Sequence, residues 1–177
     1  MRFRLVDQII LLEPGERIVT TKALSLAEEY LADHFPRFPV MPGVLMLESM
    51  TEAGAWLLRV TDEMAHSMVV LRQVQNLRLR SFVAPGEVLT VSARLLRREA
   101  ESSELSVEGR IAERVAASGR LTLNHYNLAD ARPTMSATDD AIKRHFRSAL
   151  SLLYSPREIP AARQDSSKLF QAALNPA

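Results

Sequence analysis

Residues 34–49, HFPRFPVMPGVLMLES, place one imidazole, three prolines at intervals of three and one carboxylate, Glu48, in an otherwise mostly apolar run. An imidazole and a carboxyl group are a common pair for general acid–base work, one taking a proton and the other giving one. Pro36 and Pro39 fix their own φ angles and bias Phe35 and Phe38 toward extended backbone, so His34 stands on a stiff support. Pro42 suits the first position of a helix. The opening amides of a helix lack internal acceptors and carry the positive end of its dipole. Glycine lets a ligand approach that backbone closely. The amides of Gly43 and Val44 are therefore candidate donors to a carbonyl oxygen that gains negative charge. Glu48 follows about one and a half turns later. Apolar surroundings would raise its pKa and keep it protonated near neutral pH, ready to protonate a leaving group. Such a set can remove the proton beside a thioester carbonyl and expel a β-hydroxyl group as water.

These groups need a helix and something to enclose it. A helix is expected from about Pro42 to Arg59, with Leu45, Met46, Met50, Ala53, Trp56 and Leu57 available for burial. EPGE at 13–16 reads as a turn before a strand at 17–24. From residue 67 the apolar period becomes two. Leu77 and Leu79 alternate with Arg78 and Arg80, and APGE at 84–87 is a second turn. Leu89, Val91, Ala93 and Leu95 form one strand face. Leu105, Val107, Gly109 and Ile111 form the next, and Val115, Ala117, Gly119, Leu121 and Leu123 the last. Short connections between such strands imply an antiparallel sheet with one buried face. The fold class is α+β, with the sheet wrapped around one long central helix. Beyond Tyr126 the pattern fades into a linker. A helix over 138–155 follows, with Thr138 as its cap, acids in its first turn, and Ile142, Phe146, Ala149, Leu150 and Leu153 on one face. Pro156 and Pro160 are expected to end it, with one more short helical turn beyond. The division is thus a domain at 1–125 and a helical extension at 126–177 that packs on the domain or on a partner subunit.

The stretch HFPRFPVMPGVLMLES resembles the signature of the bacterial β-hydroxyacyl-acyl carrier protein dehydratases of fatty acid synthesis. The likeness extends through LEPGERI and NLRLRSFVAPGEVL, over roughly residues 1–125. It implies a hotdog fold, His34 and Glu48 as the catalytic pair, and the Gly43 and Val44 amides as the thioester oxygen site. It further implies dehydration of a 3-hydroxyacyl thioester to the trans-2-enoyl product without a metal or redox cofactor. The partner would be acyl carrier protein bearing the substrate on its phosphopantetheine arm. Histidine and glutamate would come from opposite subunits of a homodimer, or of three such dimers together. Spacing alone leaves open that His34 folds back onto its own helix. Where the family usually has glycine on both sides of His-Phe-Pro, this chain has Asp33 and Arg37. Where it usually has glutamine four residues past the glutamate, this chain has Glu52.

Other readings compete. Glu48, Glu52, Ala55 and Arg59 could form the solvated stripe of an amphipathic helix, and Pro-x-x-Pro-x-x-Pro could be a polyproline ligand. If Glu48 and Glu52 are instead close and enclosed, their mutual repulsion raises the Glu48 pKa further, unless Arg59 neutralises Glu52. A non-catalytic acyl-binding or assembly subunit of the same fold, or a dehydratase of a specialised lipid or polyketide pathway, remains the alternative function. His66, His125 and His145 show no metal-ligand spacing and read as structural or solvated. The arginines at 78, 80, 94, 97 and 98 read as polar strand faces, or as a steering surface for an acidic carrier protein. The formal charge of +1 gives no pull toward nucleic acid. Cysteine is absent, which removes disulfides, thiolate metal sites and a cysteine nucleophile. The most apolar run contains Glu48, Glu52 and Arg59, which argues against a membrane span. The N-terminus lacks a secretory signal pattern, so a cytoplasmic location is expected.

Overall fold

A computed structural model describes residues 4–154 of the 177-residue chain. Strands β1 (Gln8–Glu13) and β2 (Arg17–Ala23) form a hairpin, and Gly15 supplies the positive φ of its turn at +78°. A single 3-10 turn (Glu29–Ala32) precedes the loop that carries His34. Helix α1 (Gly43–Thr61) follows, then β3 (Met68–Leu79), β4 (Val88–Arg98), β5 (Ser102–Ile111) and β6 (Arg114–Tyr126). The strands pair antiparallel in the order β1-β2-β4-β5-β6-β3. Strand β3 therefore closes one edge of the sheet and β1 the other.

Period-two patterning builds this sheet. Leu89, Val91 and Ala93 of β4, Leu105 and Val107 of β5, and Leu121 and Leu123 of β6 are buried against one face of α1. From the helix, Met46, Met50, Ala53 and Leu57 repeat at three and four residues and meet them. Burying one such large side chain contributes about 1.5–3 kcal/mol relative to leaving it in water. Gly54 sets how closely the helix lies on the sheet: a Cβ there would stand 3.2 Å from Leu123 Cδ1 and 3.4 Å from Leu105 Cδ2. The expectation of an α+β fold with a sheet around a long helix holds.

Two expected features differ. Leu77 and Leu79 were expected on a buried face but are 37% and 50% exposed. Asn76 takes a left-handed φ of +53° at a register shift between Gln75 and Arg78, and β3 then runs along the open sheet edge. The segment after Tyr126 is also more ordered than a linker. It folds as α2 (Leu128–Ala131), a 3-10 turn (Pro133–Met135) and α3 (Ser136–Leu153). Met135, not Thr138, stands at the N-cap of α3. Asp139 does not face water at the helix start; it is 3% exposed and reaches back to the rest of the fold. Burial alone would raise its pKa. Bonds from Ser67 Oγ–H and the Ala129 and Leu128 amides hold it below the ordinary carboxylate value instead.

The apolar face of α3 is the one expected: Phe146, Ala149, Leu150 and Leu153 pack against the core. The readings of Pro156, Pro160 and the last short helical turn fall outside the described residues. Among the described residues, no helix is long and apolar enough to cross a membrane.

Candidate functional site

The loop between the 3-10 turn and α1 is tied at several points. The Val40 amide donates to His34 O at 3.0 Å, and the Met41 amide donates to Val83 O at 2.9 Å. Val40 and Met41 are buried, which anchors the C-terminal end of the proline-stiffened segment. His34 itself is half-buried, and its ring stacks on Phe35 with centroids 4.2 Å apart. Its Nδ1 lies 3.0 Å from the Val40 carbonyl oxygen. A carbonyl can only accept, so Nδ1 carries the hydrogen, and in the neutral ring Nε2 keeps a lone pair. That is the tautomer a general base requires.

Pro42 is the N-cap of α1. The first bonds into the helix run from the Leu45 and Met46 amides to Pro42 O, at 2.9 and 3.2 Å. The Gly43 and Val44 amides lie ahead of the helix's own acceptors, as the sequence suggests. A Cβ at position 43 would meet Leu79 Cδ1 of β3 and push that half-exposed side chain aside, so glycine lets the two elements lie close. Val44 is 71% exposed, and Phe35, Phe38, Leu79 and Phe82 are exposed apolar side chains of the flanking loop, β3 and the segment after it. Phe38 and Phe82 meet edge to face at 5.8 Å.

Glu48 is placed differently from the expectation. Five residues beyond Gly43 is about 140° around the helix, so it points away from the Gly43 face. On the single chain it is exposed, not enclosed by apolar side chains as its helix suggested. It lines a cleft of about 370 Å³ between α1 and α3, together with Thr51, Glu52, Trp56, Arg59 and Phe146. His34 is not among the residues lining that cleft. One chain thus gathers His34, Gly43 and Val44 about the start of α1 and presents Glu48 on another face.

The strongly perturbed acid is Glu52. Burial pushes its pKa up to about 7, and the neighbouring Glu48 charge adds to the rise. A bond from the Leu5 amide at 3.3 Å and the charges of Arg59 and Lys22 oppose it. Arg59 is 8% exposed, and burial lowers its pKa to about 10, with the Glu52 charge acting against that shift. Its guanidinium lies 3.7 Å from the Phe146 ring centroid, and Trp56 meets the same ring edge to face at 5.5 Å. A solvated stripe is therefore excluded for most of this face: Ala55 and Arg59 are buried under α3, and only Glu48 is left open. The spacing of four flagged Glu52 as a neighbour of Glu48. Nothing in local pattern indicated that α3 would fold over the pair.

A second cluster was missed. Asp62, His66 and His125 each offer a ligand atom within 4.8 Å of the others, at the opposite end of α1. His125 lies 59 positions beyond His66, so linear spacing could not show the cluster.

Comparison with known proteins adds to this geometry. The family model described as a FabA-like domain matches residues 1–115. The 3-hydroxyacyl-[acyl-carrier-protein] dehydratase FabZ of Ruminiclostridium cellulolyticum is 33% identical over 119 residues, covering 67% of this chain and 84% of that protein. The FabZ of Magnetococcus marinus is 38% identical over 116 residues, covering 62% of this chain and 76% of that protein. Among solved structures, the dehydratase heterocomplex ApeI:P from Xenorhabdus doucetiae aligns with a TM-score of 0.61. It is 19% identical and covers 75% of this chain and 90% of its own. At that identity the likeness speaks for the shared fold alone.

Proposed function

Because the chain belongs to the FabA-like dehydratase family, we propose that it converts a 3-hydroxyacyl thioester to the trans-2-enoyl thioester and water, as its FabZ relatives are named for doing. The observation that carries this reading is the His34 tautomer, fixed by Val40 O beside the open amides of a helix N-terminus.

The chemistry follows from these positions. Nε2 of His34 removes the α-proton, and the electron pair moves into the thioester carbonyl. The oxygen gains negative charge and accepts hydrogen bonds donated by the Gly43 and Val44 amides. The pair then returns to form the Cα–Cβ double bond and breaks the bond from Cβ to the hydroxyl. Glu48 donates a proton to that hydroxyl, which leaves as water. His34 ends protonated and Glu48 ionised, and a proton passed back through water resets both.

Glu48 is exposed on one chain and lines a cleft that His34 does not, which supports an active pair assembled between subunits. The exposed edge strand β3 and the exposed apolar side chains Phe35, Phe38, Val44, Leu79 and Phe82 supply a surface for a second copy. In a two-fold dimer the same patch meets itself, which produces two sites, each with His34 of one subunit and Glu48 of the other. The substrate is carried on acyl carrier protein, in the cytoplasm, and the exposed Arg78 and Arg80 beside this edge suit an acidic carrier.

The test is incubation of the purified full chain with a 3-hydroxyacyl thioester on acyl carrier protein, following the enoyl product. Turnover that depends on His34 is expected. Tight carrier binding without turnover would instead identify an acyl-binding subunit, and full-rate turnover by His34→Ala would overturn the mechanism.

A further inference from the structure

The end of α1 remote from His34 holds a set of groups that the dehydration does not use. Asp62 caps the helix, His66 lies in the loop that follows, and His125 lies near the end of β6. One ligand atom from each lies within 4.8 Å of the other two. The two imidazoles face each other with centroids 4.8 Å apart. His125 is 2% exposed, and its Nδ1 is buried with no hydrogen-bond partner among the described residues; the same holds for Nδ1 of His66. A buried ring nitrogen without a partner is costly, so each of these histidines calls for one. His125 Nε2 lies 3.2 Å from Ser103 Oγ, which leaves Nδ1 as the outward lone pair when Nε2 donates.

We propose that Asp62, His66 and His125 form a binding site for a divalent first-row transition metal, Zn²⁺ above all. Two imidazoles and a carboxylate, with a water in the fourth position, suit that ion. Metal–ligand bonds of about 2.1 Å in a tetrahedron place ligand atoms about 3.4 Å apart. The cluster therefore contracts by up to about 1.4 Å on binding, within reach of side-chain rotation. The Arg98 guanidinium is paired with Asp62 Oδ1 and stands in for the cation when metal is absent. Asp62 Oδ2, 3.7 Å from His66 Nε2, is the oxygen turned toward the histidines.

The consequence reaches α3. His66 adjoins Ser67, whose amide donates to Asn127 Oδ1 and whose hydroxyl donates to Asp139 of α3. A metal here would clamp the loop that seats α3 over the cleft containing Glu48. The site is independent of the dehydratase reading, because every test below reads the metal itself.

The experiment is titration of the chelator-stripped full chain with zinc chloride by calorimetry, alongside thermal unfolding. One equivalent is expected to bind, and at a hundredfold excess over Kd the midpoint should rise by about 5–10 °C. His66→Ala, whose ring is partly exposed, should weaken binding by more than about 100-fold, since even outer partners of a metal are worth 10–100-fold. Arg98→Ala should tighten it by about tenfold by removing a competing cation. His145→Ala, on the exposed side of α3, should leave it unchanged. Cobalt(II) in place of zinc should give tetrahedral d–d absorption. Absence of stoichiometric binding, undiminished binding in His66→Ala, or loss of binding in His145→Ala would each overturn the proposal. Should His66→Ala fail to fold, the Arg98→Ala result decides: binding unchanged or weakened by that substitution sinks it.

Discussion

The Nδ1 atom of His34 lies 3.0 Å from the carbonyl oxygen of Val40, six residues along the same proline-stiffened loop. The bond fixes both the ring's orientation and its tautomer, because the carbonyl can take only a hydrogen. Two consequences should separate in kinetics. His34→Ala removes the base and should lower kcat by about 10²–10⁴-fold while leaving the thermal midpoint near that of the parent. A loss of that size with unchanged far-ultraviolet circular dichroism supports the role. A loss accompanied by unfolding would mean that His34 holds the loop and does no chemistry.

His34 and Glu48 stand on different parts of one chain, which makes a mixing experiment decisive. His34→Ala and Glu48→Gln are each expected to be inactive alone. Denatured together and refolded as a mixture, half the dimers should carry one of each chain and one intact composite site. Recovery of about a quarter of the parent activity is expected. No recovery, with mixed dimers confirmed by mass, would place both groups in one subunit.

Much of this site could be read from residue types, and the reason is local. Proline angles, helix-start amides and the steric freedom of Gly43 depend on neighbours within a few positions, so HFPRFPVMPG announces its own geometry. The strand faces of β4, β5 and β6 were legible for the same reason, their period being two. What failed was anything set by distant packing. Glu48 looked like the buried acid because its helix is apolar, yet α3, ninety residues away in sequence, covers Glu52 and Arg59 and leaves Glu48 open. Leu77 and Leu79 alternate correctly but fall on an edge where the other described residues leave them partly open. His66 and His125 become neighbours only through the pairing of β3 with β6.

Phe146 is the hinge of the contact between α3 and α1. Its ring carries the Arg59 guanidinium on its face at 3.7 Å and meets Trp56 edge to face. Phe146→Ala removes a half-buried ring and strips the cover from a buried cation. The expected loss is about 2–3 kcal/mol, below the 3–5 kcal/mol of a fully buried aromatic, and about 1 kcal/mol of it is the cation–π contact. Chemical denaturation of Phe146→Ala, Arg59→Met and the double variant measures the coupling. Additive losses would show that the stacked geometry contributes nothing of its own.

Glu52 should write a recognisable pH dependence into stability. Burial lifts its folded pKa to about 7, while the unfolded chain titrates near the ordinary value of about 4.3. Between these two values the folded state holds a proton that the unfolded state has released. By linkage, stability then falls as pH rises through that window and levels off above about 7. The contribution is present in full below about pH 4.3. Its loss by neutral pH is of the order of 2–3 kcal/mol after allowance for partial solvent contact. Glu52→Gln mimics the protonated form at every pH and should abolish this slope. Its thermal midpoint should lie close to that of the parent at pH 5 and above it at pH 7.5. If the two midpoints keep a constant separation over that range, Glu52 is not held in the environment that α1 and α3 provide, and the acid that matters for pH lies elsewhere.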